Sequence, residues 1–94
     1  MNLKYQVLLL LYKYPNMKLN EMRLFLKDVK NEILKAELVS LHNEGLIVKS
    51  GSRGSFQYSL SDMGKLYIEN AYLKHRFLEL KLLDNMLFSD FNVR

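Results

Sequence analysis

LVSLHNEGLIVKSGSRGSFQYSLSDMG, running from Leu38 to Gly64, is the stretch whose reading decides the fold. Leu34, Leu38 and Leu41 are spaced four and three apart, so they share one face of a helix. Gly45 follows the last polar turn of that helix, where a left-handed residue ends the coil and only glycine adopts that geometry freely. Leu46, Ile47 and Val48 then suit a short buried strand. Ser50 to Ser55 contains two glycines and turns. Phe56, Tyr58 and Leu60 alternate with polar Gln57 and Ser59, the period of a half-exposed strand. Ser61 is a good N-cap for a new helix, and Asp62 just after it suits that helix's positive end.

Outward from this stretch, a first helix is expected from Leu3 to Tyr14, ended by Pro15 and Asn16, because the residue before a proline avoids helical geometry. A second helix is expected from Leu19 to Asp28, capped by Asn20, with Met22, Leu24, Phe25 and Leu26 apolar. A turn from Val29 to Asn31 leads into the third helix, Asn31 to Asn43, and helices two and three form a helix-turn-helix pair. From Ser61 to about Phe88 no proline occurs, and no glycine after Gly64, which allows a helix of up to about seven turns.

The order helix, strand, hairpin loop, strand, helix resembles the winged helix-turn-helix DNA-binding fold, and in particular the PadR-like and MarR-like regulators. Those families carry a leucine-rich recognition helix, a Gly-Leu-Ile step, a basic hairpin wing and a Tyr-x-Leu-Thr-x-x-Gly exit. The matches here are Leu38, Leu41, Gly45, Leu46 and Ile47, then Tyr58, Leu60, Ser61 and Gly64, with Ser61 keeping the capping hydroxyl of the usual threonine. The resemblance covers roughly Leu3 to Tyr72. It implies a mainly α fold with a small β-hairpin and a winged-helix domain over residues 1–72; the run without proline or glycine beyond it adds an extended C-terminal helix over residues 73–94, read as a dimerisation element, within one domain overall. It implies DNA as the partner. Winged helices also serve as single-strand binders and protein-interaction modules, so fold does not dictate function.

The charge is uneven. Residues 1–65 hold ten basic and six acidic side chains, a net of +4, and residues 66–94 hold four of each, a net of zero. The positive field therefore belongs to the winged-helix part and permits phosphate contacts. The 94 residues contain no cysteine, which excludes thiolate chemistry and is compatible with a cytoplasmic location. The apolar run Val7 to Leu11 is too short for a membrane span and reads as a buried helix face.

Enzyme chemistry has no local support. His42 and His75 are far apart, no phosphate-cradling glycine motif precedes a helix, and Glu37 and Glu44 lie along a solvated helix. No catalytic residue, metal site or cofactor is expected.

The candidate nucleic-acid surface has two parts. With Leu34, Leu38 and Leu41 buried, helix three turns Asn31, Glu32, Lys35, Ala36, Val39 and Ser40 outward. Asn31 could pair with adenine and Lys35 could reach guanine or phosphate, while Glu32 and Glu37 repel phosphates. The wing offers Lys49, Ser52 and Arg53, with Phe56 and Tyr58 beside them either as strand core or as a platform for an unpaired base. Lys18, Arg23, Lys27 and Lys30 add charge from helix two and the turn. In the last helix Leu66, Leu73, Phe77, Leu80, Leu83 and Leu87 form one continuous apolar stripe, widened by Tyr67, Leu78 and Leu82. Such a stripe pairs with a second copy, docks another protein or folds back onto its own core.

Three readings follow. The first is a small dimeric transcriptional regulator of duplex DNA. The second is a single-stranded-DNA-binding accessory factor in replication of a mobile element. The third is a winged-helix module that binds protein.

Overall fold

The computed structural model describes residues 2–74. Its elements are α1 (Leu3–Lys13), α2 (Leu19–Phe25), α3 (Asn31–Asn43), β1 (Ile47–Ser50), β2 (Gln57–Leu60) and α4 (Asp62–Lys74). This is the mainly helical architecture with one antiparallel hairpin that the winged-helix resemblance implied. His75, Phe77, Leu80, Leu83 and Leu87, and the extension of the last helix toward Phe88, lie outside the described residues.

The core is built around α1. Val7, Leu8, Leu9, Leu10 and Leu11 are all buried. Five consecutive residues cover every side of a helix, so α1 is enclosed all round rather than on the single face that a surface helix presents. Leu34, Leu38 and Leu41 of α3 pack into the same cluster, with Met22 and Leu26 from the α2 region, Met17, Leu46, Ile47 and Ile68 of α4. Asn2 caps α1, its Oδ1 accepting from the Lys4 backbone N–H at 2.9 Å.

Two boundaries differ from the sequence expectation. Helix α2 stops at Phe25 and not at Asp28, because Leu26 leaves helical geometry (φ −107°, ψ 58°) and is buried among the core side chains. Asn20 is not the cap of α2. The N-cap is Lys18, whose backbone N–H donates to the Glu21 carboxylate at 2.7 Å. That is half of a capping box; the other half needs an oxygen that lysine lacks.

The end of α3 is a Schellman turn. The Leu46 N–H donates to the Leu41 carbonyl and the Gly45 N–H to the His42 carbonyl, each at 3.0 Å, with Gly45 at φ +77°. Leu46 is spent on this turn, so β1 begins one residue later than the apolar run suggests. The strands pair in the register Ile47↔Leu60, Val48↔Ser59, Lys49↔Tyr58 and Ser50↔Gln57. One further pairing carries no sequence signal. Met17 bridges Tyr58 from the other side of β2, through N–H to carbonyl bonds of 3.0 and 2.8 Å.

Ser61 joins α3, the hairpin and α4. Its hydroxyl donates to the Gly45 carbonyl at 2.6 Å and accepts from the Gly64 N–H at 3.0 Å. Its own N–H donates to the Leu46 carbonyl at 3.1 Å. Gly64 is buried here, and a Cβ on it would overlap the Leu46 carbonyl oxygen.

Two side-chain ties hold α1 against its neighbours. The Lys4 Nζ is 3.3 Å from the Glu44 carboxylate and 4.8 Å above the Tyr67 ring, which stacks on Tyr5 with centroids 6.1 Å apart. The Tyr12 hydroxyl donates to the Glu69 carboxylate at 2.8 Å. That bond, then partial burial and the carboxylate's charge, push the Tyr12 phenol above the ordinary tyrosine range.

Three outcomes follow in urea unfolding and alkaline titration. Ser61→Ala should lower stability by about 1–2 kcal/mol, whereas Ser61→Thr should hold it, since only the capping hydroxyl matters. Gly64→Ala should cost about 3 kcal/mol, because the obstacle is a backbone oxygen and not a side chain that can move aside. The Tyr12–Glu69 bond favours the neutral phenol, so its stabilisation is complete below the unfolded tyrosine pKa of about 10 and is lost as pH rises past the folded value. Glu69→Gln should therefore shift one tyrosine ionisation downward.

Candidate nucleic-acid interface

The register of the hairpin sets the wing's chemistry. Lys49 and Tyr58 are directly opposed, so their side chains share one face, and Phe56 follows two residues before Tyr58 on that same face. The Lys49 ammonium lies 4.0 Å from the centroid of the Phe56 ring, a cation–π contact. Tyr58 packs against the core cluster, and burial pushes its phenol up. Of the two aromatic residues, Tyr58 is therefore tied to the core. Phe56 is half-buried beneath a lysine.

The loop between the strands closes on itself. The Ser55 N–H donates to the Ser52 carbonyl at 2.9 Å, and Gly54, third in that turn, has φ +89°. Positive φ at the third position is what a type II turn requires. The two serine hydroxyls are 3.4 Å apart, and Ser55 Oγ also donates to the Ser52 carbonyl at 3.4 Å. Arg53 is exposed at the tip of this turn.

On α3, Lys35 and Val39 are four residues apart and lie one above the other. Their face meets the start of α2 and the wing across an open groove of about 590 Å³. Lys18, Lys35 and Lys49 line it, one from each of three elements, with Asn20, Val39, Phe56 and Tyr58 between them. No acidic side chain is among the lining residues. Positive charge is thus gathered along one concavity, the arrangement that attracts a polyanion.

The other sequence candidates are distributed differently. Arg23 is half-buried, and its Nη1 donates to the Asn31 Oδ1 at 3.2 Å and to the Val29 carbonyl at 3.5 Å. Arg23 and Asn31 therefore brace the turn between α2 and α3. Lys27 is exposed in that turn, and Lys30 is the exposed N-cap of α3. Ser52 and Arg53 stand at the wing tip, next to the groove lining at Gly54 and Ser55. His42 is exposed in the last turn of α3, and among the described residues no three His, Asp or Glu side chains converge as metal ligands.

Sequence reasoning missed Asn20 as a groove residue by making it the helix cap. Glu21, three residues after Lys18, was the available signal for the true start of α2. Among the described residues, no helix is long and apolar enough to cross a membrane.

No family model matches the chain, and no curated protein matches its sequence. Solved structures do. The chain is similar to the reduced form of MarR from E. coli, at 14% identity and a TM-score of 0.69, over 99% of this chain and 67% of that one. It is also similar to a transcriptional regulator of the MarR family from Silicibacter pomeroyi, at 17% identity and a TM-score of 0.63, over 97% of this chain and 72% of that one. At these identities the likeness is one of fold. It supports the winged-helix fold that these two structures share.

Proposed function

We propose that this chain is a non-enzymatic DNA-binding protein, a small dimeric transcriptional regulator that grips duplex DNA with α3 and the basic wing. The observation that carries the reading is the convergence of Lys18, Lys35 and Lys49 on one groove free of acidic lining. A winged-helix fold like that of the MarR-type transcriptional regulators supports it. Lys35 projects from the helix that enters a major groove, and Arg53 at the wing tip is placed for phosphate or a narrow minor groove. The cytoplasm is the compartment this role implies.

Phe56 bears on the choice between duplex and single strands. Stacking an unpaired base requires an open ring face, and in Phe56 the Lys49 ammonium covers one at 4.0 Å. This favours duplex as the partner, with Lys49 as a phosphate contact whose ammonium is held over the ring.

Dimerisation is proposed through the last helix. Leu66, where the apolar stripe begins, is 61% exposed on α4, and Met63 beside it is 62% exposed. A stripe continuing through Leu73, Phe77, Leu80, Leu83 and Leu87 would let two copies cover each other. Two wings would then meet half-sites about one DNA turn apart.

Binding of labelled duplex and of matched single strands, at several salt concentrations, tests the site. The duplex should be preferred. Lys35→Ala, Lys49→Ala and Arg53→Ala should each reduce the salt slope by about 0.9, the share of one phosphate contact. Unchanged slopes in all three would remove the groove and wing from the interface. Preference for single strands, weakened by Phe56→Ala, would replace the duplex reading with the accessory-factor one. For the dimer, wild-type protein should sediment as a dimer at micromolar concentration and Leu80→Glu as a folded monomer with weaker duplex binding. A monomeric wild type, or an unfolded Leu80→Glu, would show that the stripe serves its own chain.

A further inference from the structure

We infer that α3 reads thymine through its C5-methyl group, with Val39 and Ala36 as the contacting side chains; the inference rests on the duplex reading above. The residue that prompts it is Val39, which is 60% exposed although it is a large apolar side chain lining a groove of lysines. At about 100° per residue, Ala36 and Val39 point away from the buried Leu34, Leu38 and Leu41. Ala36 is exposed as well. The part of α3 turned from the core therefore carries Ala36 and Val39, with exposed Glu32 between them in angle toward the start of the helix and Lys35 on the flank.

The polar side chains in the first turn of α3 are ill suited to a specific purine contact. Reading adenine bidentately requires both ends of an amide aimed at one base edge, and the 3.2 Å hydrogen bond from Arg23 holds the Asn31 Oδ1 toward α2. Glu32, exposed in the first turn of α3, repels the two acceptors that guanine presents. Lys35 shares the groove with Lys18 and Lys49, where phosphates on either side of the major groove would neutralise them.

The edges of the major groove offer one apolar group, the methyl of thymine. A partner that satisfies three lysines and also covers exposed valine must be anionic at its rims and carry a methyl between them. A thymine-containing duplex meets both requirements, and charge complementarity commits the groove to that occupant. Lysines set affinity and register. Val39 and Ala36 set sequence.

The experiment starts from the duplex that wild-type protein selects from a random pool. Each thymine in it is then replaced by deoxyuridine, which removes the methyl and leaves every hydrogen-bonding group. One or two replacements should weaken wild-type binding about fourfold each, the transfer value of one buried carbon, with the salt slope unchanged. Val39→Ser, checked for folding by circular dichroism, should bind the thymine duplex more weakly and no longer distinguish thymine from deoxyuridine at the position it contacts. Ala36→Ser should do the same at a neighbouring position.

Salt-dependent duplex binding that ignores every deoxyuridine replacement would overturn the thymine reading and leave the DNA-binding one standing. Loss on replacement that persists undiminished in both serine variants would also overturn it, because the methyl would be contacted elsewhere. Absence of salt-dependent duplex binding by the wild type would sink both readings together.

Discussion

One hydroxyl holds the end of α3, the base of the hairpin and the start of α4 in a single arrangement. Ser61 donates to the Gly45 carbonyl and accepts from the Gly64 N–H, and its backbone N–H reaches the Leu46 carbonyl. Each of these groups would otherwise be an orphan at a helix end or a strand end. Gly45 supplies the positive φ that turns the chain out of α3, and Gly64 supplies the absence of a Cβ that lets α4 approach Leu46. The direction in which the wing leaves α3 follows from this junction. So does the groove between them, since Lys35 belongs to one side of it and Lys49 to the other.

The rest of the domain stabilises that junction through hydrophobic burial. Helix α1 is enclosed on every side, so α2, α3, α4 and the hairpin are all organised about one apolar rod. The exposed Lys4–Glu44 pair adds only about 0.2–1 kcal/mol by comparison, as ion pairs open to water do. Its value is geometric: with the Tyr5–Tyr67 stack, it ties the first turn of α1 to the end of α3 and to α4.

In the groove, charge and apolar surface are combined. Lysines at its margins provide sequence-independent attraction that falls as salt rises. Val39 and Phe56 provide surface that salt does not affect. Arg23 and Asn31, which a reading by residue type assigns to the nucleic acid, also brace the turn before α3 through their hydrogen bonds.

Features that rest on local chemistry are legible in the order of residues alone. The bounds of α3, the glycine stop at Gly45 and the serine cap at Ser61 follow from helix period and cap preference within a few residues of each position. Tertiary structure decided what depends on partners far away in the chain. Leu26 leaves α2 early because the core takes its side chain. Met17 pairs with Tyr58 across forty-one residues, and a one-residue bridge has no period to read. Lys18, Lys35 and Lys49 are far apart in sequence, and only the meeting of three elements brings them to one groove. Period and propensity record which face of an element is apolar, but not which other element lies beside it.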